Sequence, residues 1–474
     1  MRSQAMFFAR RAAEKALDVD AQKKLEHAKP LFVKKRRLGM QGLNDDGLDF
    51  ETLRDAAAAL RQDIIDNLDV WLERFEARAR ENGAEVLWAR DGAEVARLAV
   101  DIARQHGVRK VVKSKSMLSE EADLNHAFGE AGIESIETDL GEYIVQLAQE
   151  PPSHIIAPAV HKTRDEVADL FVKHHGTPRQ TDIPALAREA RLILRQHFLS
   201  ADMGISGANF LVAETGSAVL VTNEGNGRMV TTLPRLHVVV VGIEKVVRTL
   251  DDVAALMRLL PRSATGQPIS NYVSLLTGTR RRDGAEATEG PEKTIFILVD
   301  NGRAALVGGE FSSMLRCIRC GACMNHCPVY FAVGGHAYGW VYPGPMGSVL
   351  TPLFTGLENS RDLPHASTGC NQCGAVCPVG IPLPDLMHKL RQRTFREGLR
   401  PWTERIGFRV WAWVARRPWL YRAVTGLAWR YLRWLADDSG RIRVLGLAPG
   451  WTVGRDLVPP AGPGFHARYA ARRR

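Results

Sequence analysis

Residues 317–330 read CIRCGACMNHCPVY, and residues 369–379 read GCNQCGAVCPV. All seven cysteines of the 474-residue chain lie in these two runs. A chain that otherwise avoids thiols and gathers them here is using them as ligands. Cys317, Cys320, Cys323 and Cys327, followed by Pro328, have the C-x2-C-x2-C-x3-C-P spacing that holds iron–sulfur clusters in bacterial ferredoxins. Three cysteines at three-residue steps wrap one face of a cubane, and the fourth, before the proline, serves the other cluster. Cys370, Cys373, Cys377 and Pro378 repeat the tail of the pattern. Crossed ligation then assigns Cys317, Cys320, Cys323 and Cys377 to one cluster, and Cys327, Cys370 and Cys373 to the other. The second cluster is one cysteine short, and the position three residues before Cys370 is Ser367. The spacing leaves two forms open: a [4Fe-4S] cluster with serine, water or a partner on its fourth iron, or a [3Fe-4S] cluster. Structural zinc prefers separated C-x2-C pairs and fits less well. Disulfides are disfavoured by the odd count, the close spacing and the lack of a secretory signal.

The rest of the chain has an ordinary globular composition, with 45% hydrophobic residues and length for two or three domains. It has no uncharged apolar run long enough to span a membrane. The opening MRSQAMFFARRAAEKALDVD is basic and amphipathic, without the apolar core of a signal peptide, and its acids argue against a transit peptide. These features read as a cytoplasmic protein. The net charge of +10 belongs to the tail: from Pro401 onward there are fourteen arginines and four acids, and the body is neutral. A neutral body gives no reason to expect nucleic-acid binding.

Outward from the cysteines, the segment 50–82 has helical periodicity, after a basic helical arm. The KKRR run at Lys34–Arg37 within that arm reads as a solvated loop or a contact with an acidic partner. Strands and helices then alternate. Apolar runs at 86–88, 109–112, 135–138, 154–157, 236–241 and 294–299 read as strands, and 93–106, 119–128, 162–174 and 183–202 as helices. Residues 210–213 and 218–222 flank the turn Glu214–Ser217 and form a hairpin. This interleaving implies an α/β domain ending near Asn301.

Polar residues gather where its strands end. Lys113, Ser114, Lys115 and Ser116 follow one strand, Glu142 follows the next, and Glu214 and Arg228 surround the hairpin. RSATGQPIS (262–270) is another polar loop. Strand carboxyl ends are where α/β sheets bind ligands, so Lys113, Lys115, Glu214 and Arg228 form a candidate small-anion site. As turn and cap residues they would do no more than connect elements. No dinucleotide or P-loop fingerprint occurs. His336, in a glycine-rich loop between the cysteine runs, reads as a structural hydrogen-bonder. The tail carries seven of the ten tryptophans beside its arginines. It suits either a helical hairpin broken at Pro418 and docked on the cysteine domain or a partner, or a peripheral membrane contact.

The stretches CIRCGACMNHCPVY, GGHAYGWVYPGPMG, ASTGCNQCGAVCPVGIPL, KSKSMLSEE and ETGSAVLVTNEGNGR resemble the lactate utilization protein B family, the iron–sulfur component of a bacterial L-lactate oxidation system. The resemblance covers nearly the whole chain. It implies a front α/β domain similar to the sugar-isomerase and CoA-transferase-like fold, then an α-helical ferredoxin domain and a helical tail. The family also has three cysteines in the second run. The expected division is an N-terminal arm (1–48), an α/β domain (49–301), a two-cluster domain (302–398) and an Arg/Trp-rich region (399–474). The resemblance implies an electron-transfer subunit of an NAD-independent complex that oxidises lactate to pyruvate with partner subunits. It transfers no catalytic residue. A subunit for glycolate or another 2-hydroxy acid, and a non-catalytic iron–sulfur scaffold, are the alternatives.

Overall fold

Leu236–Gly242 (LHVVVVG) and Lys293–Val299 (KTIFILV) are runs of apolar and β-branched residues with no polar face. Such strands are stable only with both faces covered, as in a parallel sheet flanked by helices. The computed structural model describes residues 3–270, 272–279, 290–446, 449–452, 455–462 and 464–472, and it pairs these two runs in parallel, Leu236 opposite Lys293 through Gly242 opposite Val299.

In chain order the strands among the described residues are β1 (Glu85–Ala89), β2 (Lys110–Lys113), β3 (Glu134–Glu137), β4 (Met203–Ser206), β5 (Phe210–Val212), β6 (Ser217–Thr222), β7 (Leu236–Gly242), β8 (Val246–Val247), β9 (Tyr272–Thr277) and β10 (Lys293–Val299). Six form one sheet, ordered β1-β10-β7-β4-β2-β3, with every pair parallel. The other four form a sheet ordered β8-β5-β6-β9, built on the expected hairpin of β5 and β6. The core of the large sheet is filled from one side by Val95, Ala99, Ile102, Leu124 and Phe128, packed on Val111, Ile205, Val238 and Ile297. The helix Gly92–Gln105 presents this face because its apolar residues recur every three or four positions. It starts where it does because Asp91 accepts from the Glu94 N–H at 2.8 Å.

Three expectations change. Residues 154–157 are not a strand. His154 Nδ1 accepts from the N–H groups of Ile156 and Ala157 at 3.0 and 3.1 Å, so a side chain takes the donors a ladder would need. The KKRR run is not a loop but lies within the helix Val19–Asp45, where Arg36 is half-buried and donates to Val376 O at 3.1 Å. The expected helix 119–128 is two short helices, Met117–Glu121 and Leu124–Glu130, separated by Asp123 with φ +55°.

Met1–Arg393 and Thr394–Arg474 are separate compact units. Within the first, Arg61 is 1% exposed and donates to Val246 O at 2.9 Å and Leu315 O at 3.2 Å, tying the helix Phe50–Asp66 to the approach to the cysteines. Within the second, the helices Trp402–Ala415 and Pro418–Leu435 pack on one another, with Trp411 and Tyr421 rings 5.9 Å apart. Pro418 opens the second helix, where its missing N–H costs nothing. Trp402, Trp419 and Trp434 are exposed. Among the described residues no helix is long and apolar enough to cross a membrane.

Candidate iron–sulfur site and the adjoining cavity

The two cysteine runs fold as repeats of one another, fifty residues apart. Arg319 and Gly321 have φ +58° and +74°; Gly369 and Asn371, their counterparts, have φ +75° and +59°. Each run then makes one short helix, Ala322–Asn325 or Gln372–Ala375. Left-handed residues on either side of Cys320 and Cys370 turn the chain sharply enough to bring neighbouring thiols round one point. In this repeat Ser367 occupies the place of Cys317. Its Oγ accepts from the Gly369 N–H at 3.1 Å.

All seven cysteines are free. Their electrostatic influence on one another falls into two groups. Cys320 feels Cys377 and Cys317, Cys323 feels Cys320, Cys317 and Cys377, and Cys377 feels Cys317. Cys327 feels Cys370, and Cys373 feels Cys327 and Cys370. A weaker influence of Cys373 on Cys323 links the groups. The donor set fits iron–sulfur clusters. The sulfurs accept backbone N–H groups, Tyr330 N to Cys327 Sγ and Ile381 N to Cys377 Sγ, both at 3.4 Å. Arg36 and Arg316 supply nearby positive charge. Burial raises the thiols of Cys320 and Cys373 to about 12 and that of Cys377 to about 11. Buried sulfurs that hold protons this firmly become thiolates when a metal replaces the proton. Cys370 is exposed, and the Gln372 N–H and the Thr368 hydroxyl lower its pKa.

A cavity of about 540 Å³ opens at the carboxyl edge of the parallel sheet. Ser114 to Leu118 after β2, Asp139 to Gly141 after β3, Gly207 to Asn209 after β4, Glu244 and Lys245 after β7, and Arg303 after β10 line it. The loop 155–160 forms another wall, and Ile318, Arg319 and Tyr342 of the cysteine region close it. Ile318 and Arg319 are the two residues between Cys317 and Cys320, so the cavity abuts the first cysteine run. Lys245 Nζ donates to Cys317 O at 3.2 Å. Burial, with Arg319 adding to it, pushes the Lys245 ammonium down to about 8. Burial opposes ionisation of Glu244, yet Arg303, Lys245 and Arg319 outweigh it and hold the carboxyl at about 2. Arg303 is 1% exposed, donates to Glu121 at 3.0 Å and Glu244 at 2.7 Å, and stacks 4.6 Å from the Phe354 ring centre. Tyr342 donates to Glu121 Oε2 at 2.5 Å. The buried hydroxyl of Ser114 lies in the cavity wall without a hydrogen-bond partner among the described residues, as does Asn226 Oδ1. Buried polar atoms left this way suit a bound polar molecule.

Of the four candidate anion residues, only Lys115 lines this cavity, held by Asp139 at 3.2 Å and Ile156 O at 3.1 Å. Lys113 is fully buried beneath it, 2.5 Å from Glu137 and 2.9 Å from Asn125. Glu214 is exposed and accepts from the Leu250 N–H at 3.2 Å. Arg228 is exposed and lies 5.9 Å over the Tyr272 ring. These three are therefore not brought together with Lys115. Arg303, Glu244, Lys245, Arg319 and Tyr342 were not singled out from the sequence. Arg319 and Tyr342 lay within quoted motifs, at positions whose neighbours drew the attention.

Residues 72–299 match the LUD domain, and residues 313–381 match the 4Fe-4S dicluster domain. The chain is 42% identical to lactate utilization protein B of Lysinibacillus sphaericus over 87% of this chain and 86% of that one. It is 43% identical to lactate utilization protein B of Exiguobacterium sp. over 87% of each. It is also 40% identical to an uncharacterized electron transport protein of Escherichia coli, over 89% of this chain and 88% of that one. With a cysteine-rich domain folded against an α/β domain and this extent of identity, the chain belongs to the lactate utilization protein B family.

Proposed function

We propose that the protein is the iron–sulfur electron-transfer subunit of an NAD-independent complex that oxidises L-lactate to pyruvate in lactate catabolism. Cys317, Cys320, Cys323 and Cys377 hold one [4Fe-4S] cluster. Cys327, Cys370 and Cys373 hold a second, whose fourth corner is either empty or bound by a ligand other than cysteine. When bound, the clusters supply one-electron transfer, and the two-electron acceptor that takes hydride from lactate belongs to a partner subunit. The family's front domain, similar to sugar-isomerase and CoA-transferase-like folds, provides the substrate cavity. Lys245 and Arg319 face the carboxylate of a 2-hydroxy acid there, and the Ser114 hydroxyl accepts or donates to its oxygens. Ile318, Tyr342 and the loop 155–160 exclude water. The exposure of Cys370 supports a partner contact at the three-cysteine group.

The observation that carries this reading is the polar cavity closed by the residues between Cys317 and Cys320. It is tested with the intact complex purified anaerobically and supplied with lactate. Lactate should reduce the clusters, and Lys245→Met should raise KM for lactate at least tenfold while iron and sulfide content stay unchanged. Clusters that remain oxidised with lactate and all partners present would favour the scaffold reading. A deletion strain that grows on glycolate but not on lactate would make glycolate the wrong substrate, and the opposite pattern would overturn the lactate reading.

A further inference from the structure

Glu150, His161 and His336 take no part in the cavity or the cysteine groups, yet they converge from two distant segments. One ligand atom from each lies within 4.8 Å of the other two. Glu150 Oε2 is 2.8 Å from His161 Nε2, and the two imidazole rings meet edge to face at 4.6 Å. The outer ring nitrogens are already committed. His336 Nε2 donates to Pro151 O at 2.8 Å, which leaves Nδ1 with the lone pair. His161 Nδ1 lies 2.9 Å from Ser153 Oγ, whose own hydroxyl donates to Pro158 O at 3.3 Å. In the tautomer in which Nδ1 donates to Ser153 Oγ, His161 Nε2 presents its lone pair on the Glu150 side, 2.8 Å from Oε2. The other carboxylate oxygen, Glu150 Oε1, is held by Lys162 Nζ at 2.5 Å. Histidines oriented by a carbonyl and a hydroxyl, with a carboxylate fixed by a second group, have the outer support that metal ligands require.

We propose that Glu150, His161 and His336 form a mononuclear site for a divalent transition-metal ion of the zinc class. Two imidazoles and one carboxylate, with no thiolate, select borderline ions such as zinc over calcium or magnesium. The ligands line a cavity of about 350 Å³, with Asp18, Asp20 and Glu166 among its other walls, and this gives an entry path and room for water at the remaining position. Lys15 and Lys24 in those walls are tied up, at 2.9 Å from Asp18 and Glu166 respectively. The site also explains the glycine pair before His336. Gly334 has φ +74°, and a Cβ on Gly335 would sit 1.7 Å from Ser153 O, so only this pair lets the His336 segment approach the Ser153 backbone. The ion pins the loop between the cysteine runs onto the α/β domain. Tyr330 sits on the same seam, donating its hydroxyl to Ser153 O at 2.8 Å and its N–H to Cys327 Sγ at 3.4 Å.

The test uses full-length protein purified anaerobically with its clusters in place and dialysed against zinc alone. Metal analysis should find one retained zinc per chain beside the iron. Zinc K-edge absorption should show a nitrogen and oxygen shell at about 2.0–2.1 Å with imidazole scattering. His161→Gln and His336→Gln should lose the zinc and keep iron and sulfide, and Ser153→Ala should weaken binding ~10–100-fold. No retained zinc in the wild-type protein overturns the proposal. A sulfur shell at about 2.3 Å also does so, because it places the ion on cysteines. Should the histidine variants not fold, stoichiometry and ligand shell of the wild-type protein decide alone.

Discussion

His237 stands in the middle of the parallel sheet, 1% exposed, with Nε2 2.8 Å from Ser206 Oγ. Burial lowers its pKa from the ordinary 6.5 to about 4, so the folded protein holds it neutral. The sign follows from linkage: the unfolded chain takes up a proton near pH 6.5 that the folded chain refuses until about pH 4. Its contribution is whole above pH 6.5, falls between 6.5 and 4, and is flat below, for about 3 kcal/mol across the window. Anaerobic thermal denaturation from pH 7.5 to 5 should show a steeper fall in Tm for the wild-type protein than for His237→Gln. At the cysteines, Cys320→Ala should remove the electron paramagnetic resonance signal of the four-cysteine cluster and leave the other, and Cys373→Ala should do the reverse. Loss of identical signals in two variants that keep native circular dichroism would refute the crossed assignment.

The helix Val19–Asp45 is the element that carries charge to the clusters. Its Arg36 lies 5.1 Å over the Phe50 ring, donates to Val376 O, and acts electrostatically on Cys320 and Cys377. Burial lowers its pKa, opposed by those thiols, but guanidinium stays charged at neutral pH. A cation beside a cluster favours the reduced form, which carries the extra negative charge. Arg36→Gln should therefore shift the midpoint potential of the four-cysteine cluster downward by tens of millivolts, ~59 mV for each tenfold change in a one-electron equilibrium. Redox titration followed by absorbance reads this directly, and an unchanged or raised potential would place Arg36 in a packing role alone.

Over the whole molecule, charge and fold divide at the same place. The body is neutral and contains the cysteines and both cavities, while the unit Thr394–Arg474 carries the excess arginines and the exposed tryptophans. Arg417 and Arg455 lie 4.3 and 3.8 Å over the rings of Trp413 and Trp451, which keeps cations and aromatics together on the surface. Truncation after Gly398 should leave iron and sulfide content intact and weaken capture of the partner subunits in a pull-down. Vesicle co-sedimentation separates the other attachment: each arginine near anionic lipid contributes ~1 kcal/mol, so loss of vesicle binding with partner capture unchanged would assign the unit to a membrane surface. Loss of the clusters on truncation would make it a structural part of the cysteine domain.

What the residues determined alone was whatever depends on near neighbours in the chain. The cysteine spacing is local, so the dicluster character of residues 313–381, and Ser367 standing where the repeat has Cys317, were legible before any fold was known. The apolar runs of β7 and β10 carry no polar face, so their burial between helices was legible too. Residues 154–157 misled for a local reason of another kind: the pattern is strand-like, but the His154 ring takes the backbone donors. Only tertiary structure decided the cavity, because its walls come from the ends of five strands whose order in the sheet differs from their order in the chain. Lys113 and Lys115 are two residues apart, yet one is buried against Glu137 and the other faces the cavity, because the strand ends between them. Glu150, His161 and His336 likewise meet only because a glycine pair lets one backbone pass close to another, a contact that no spacing in the sequence records.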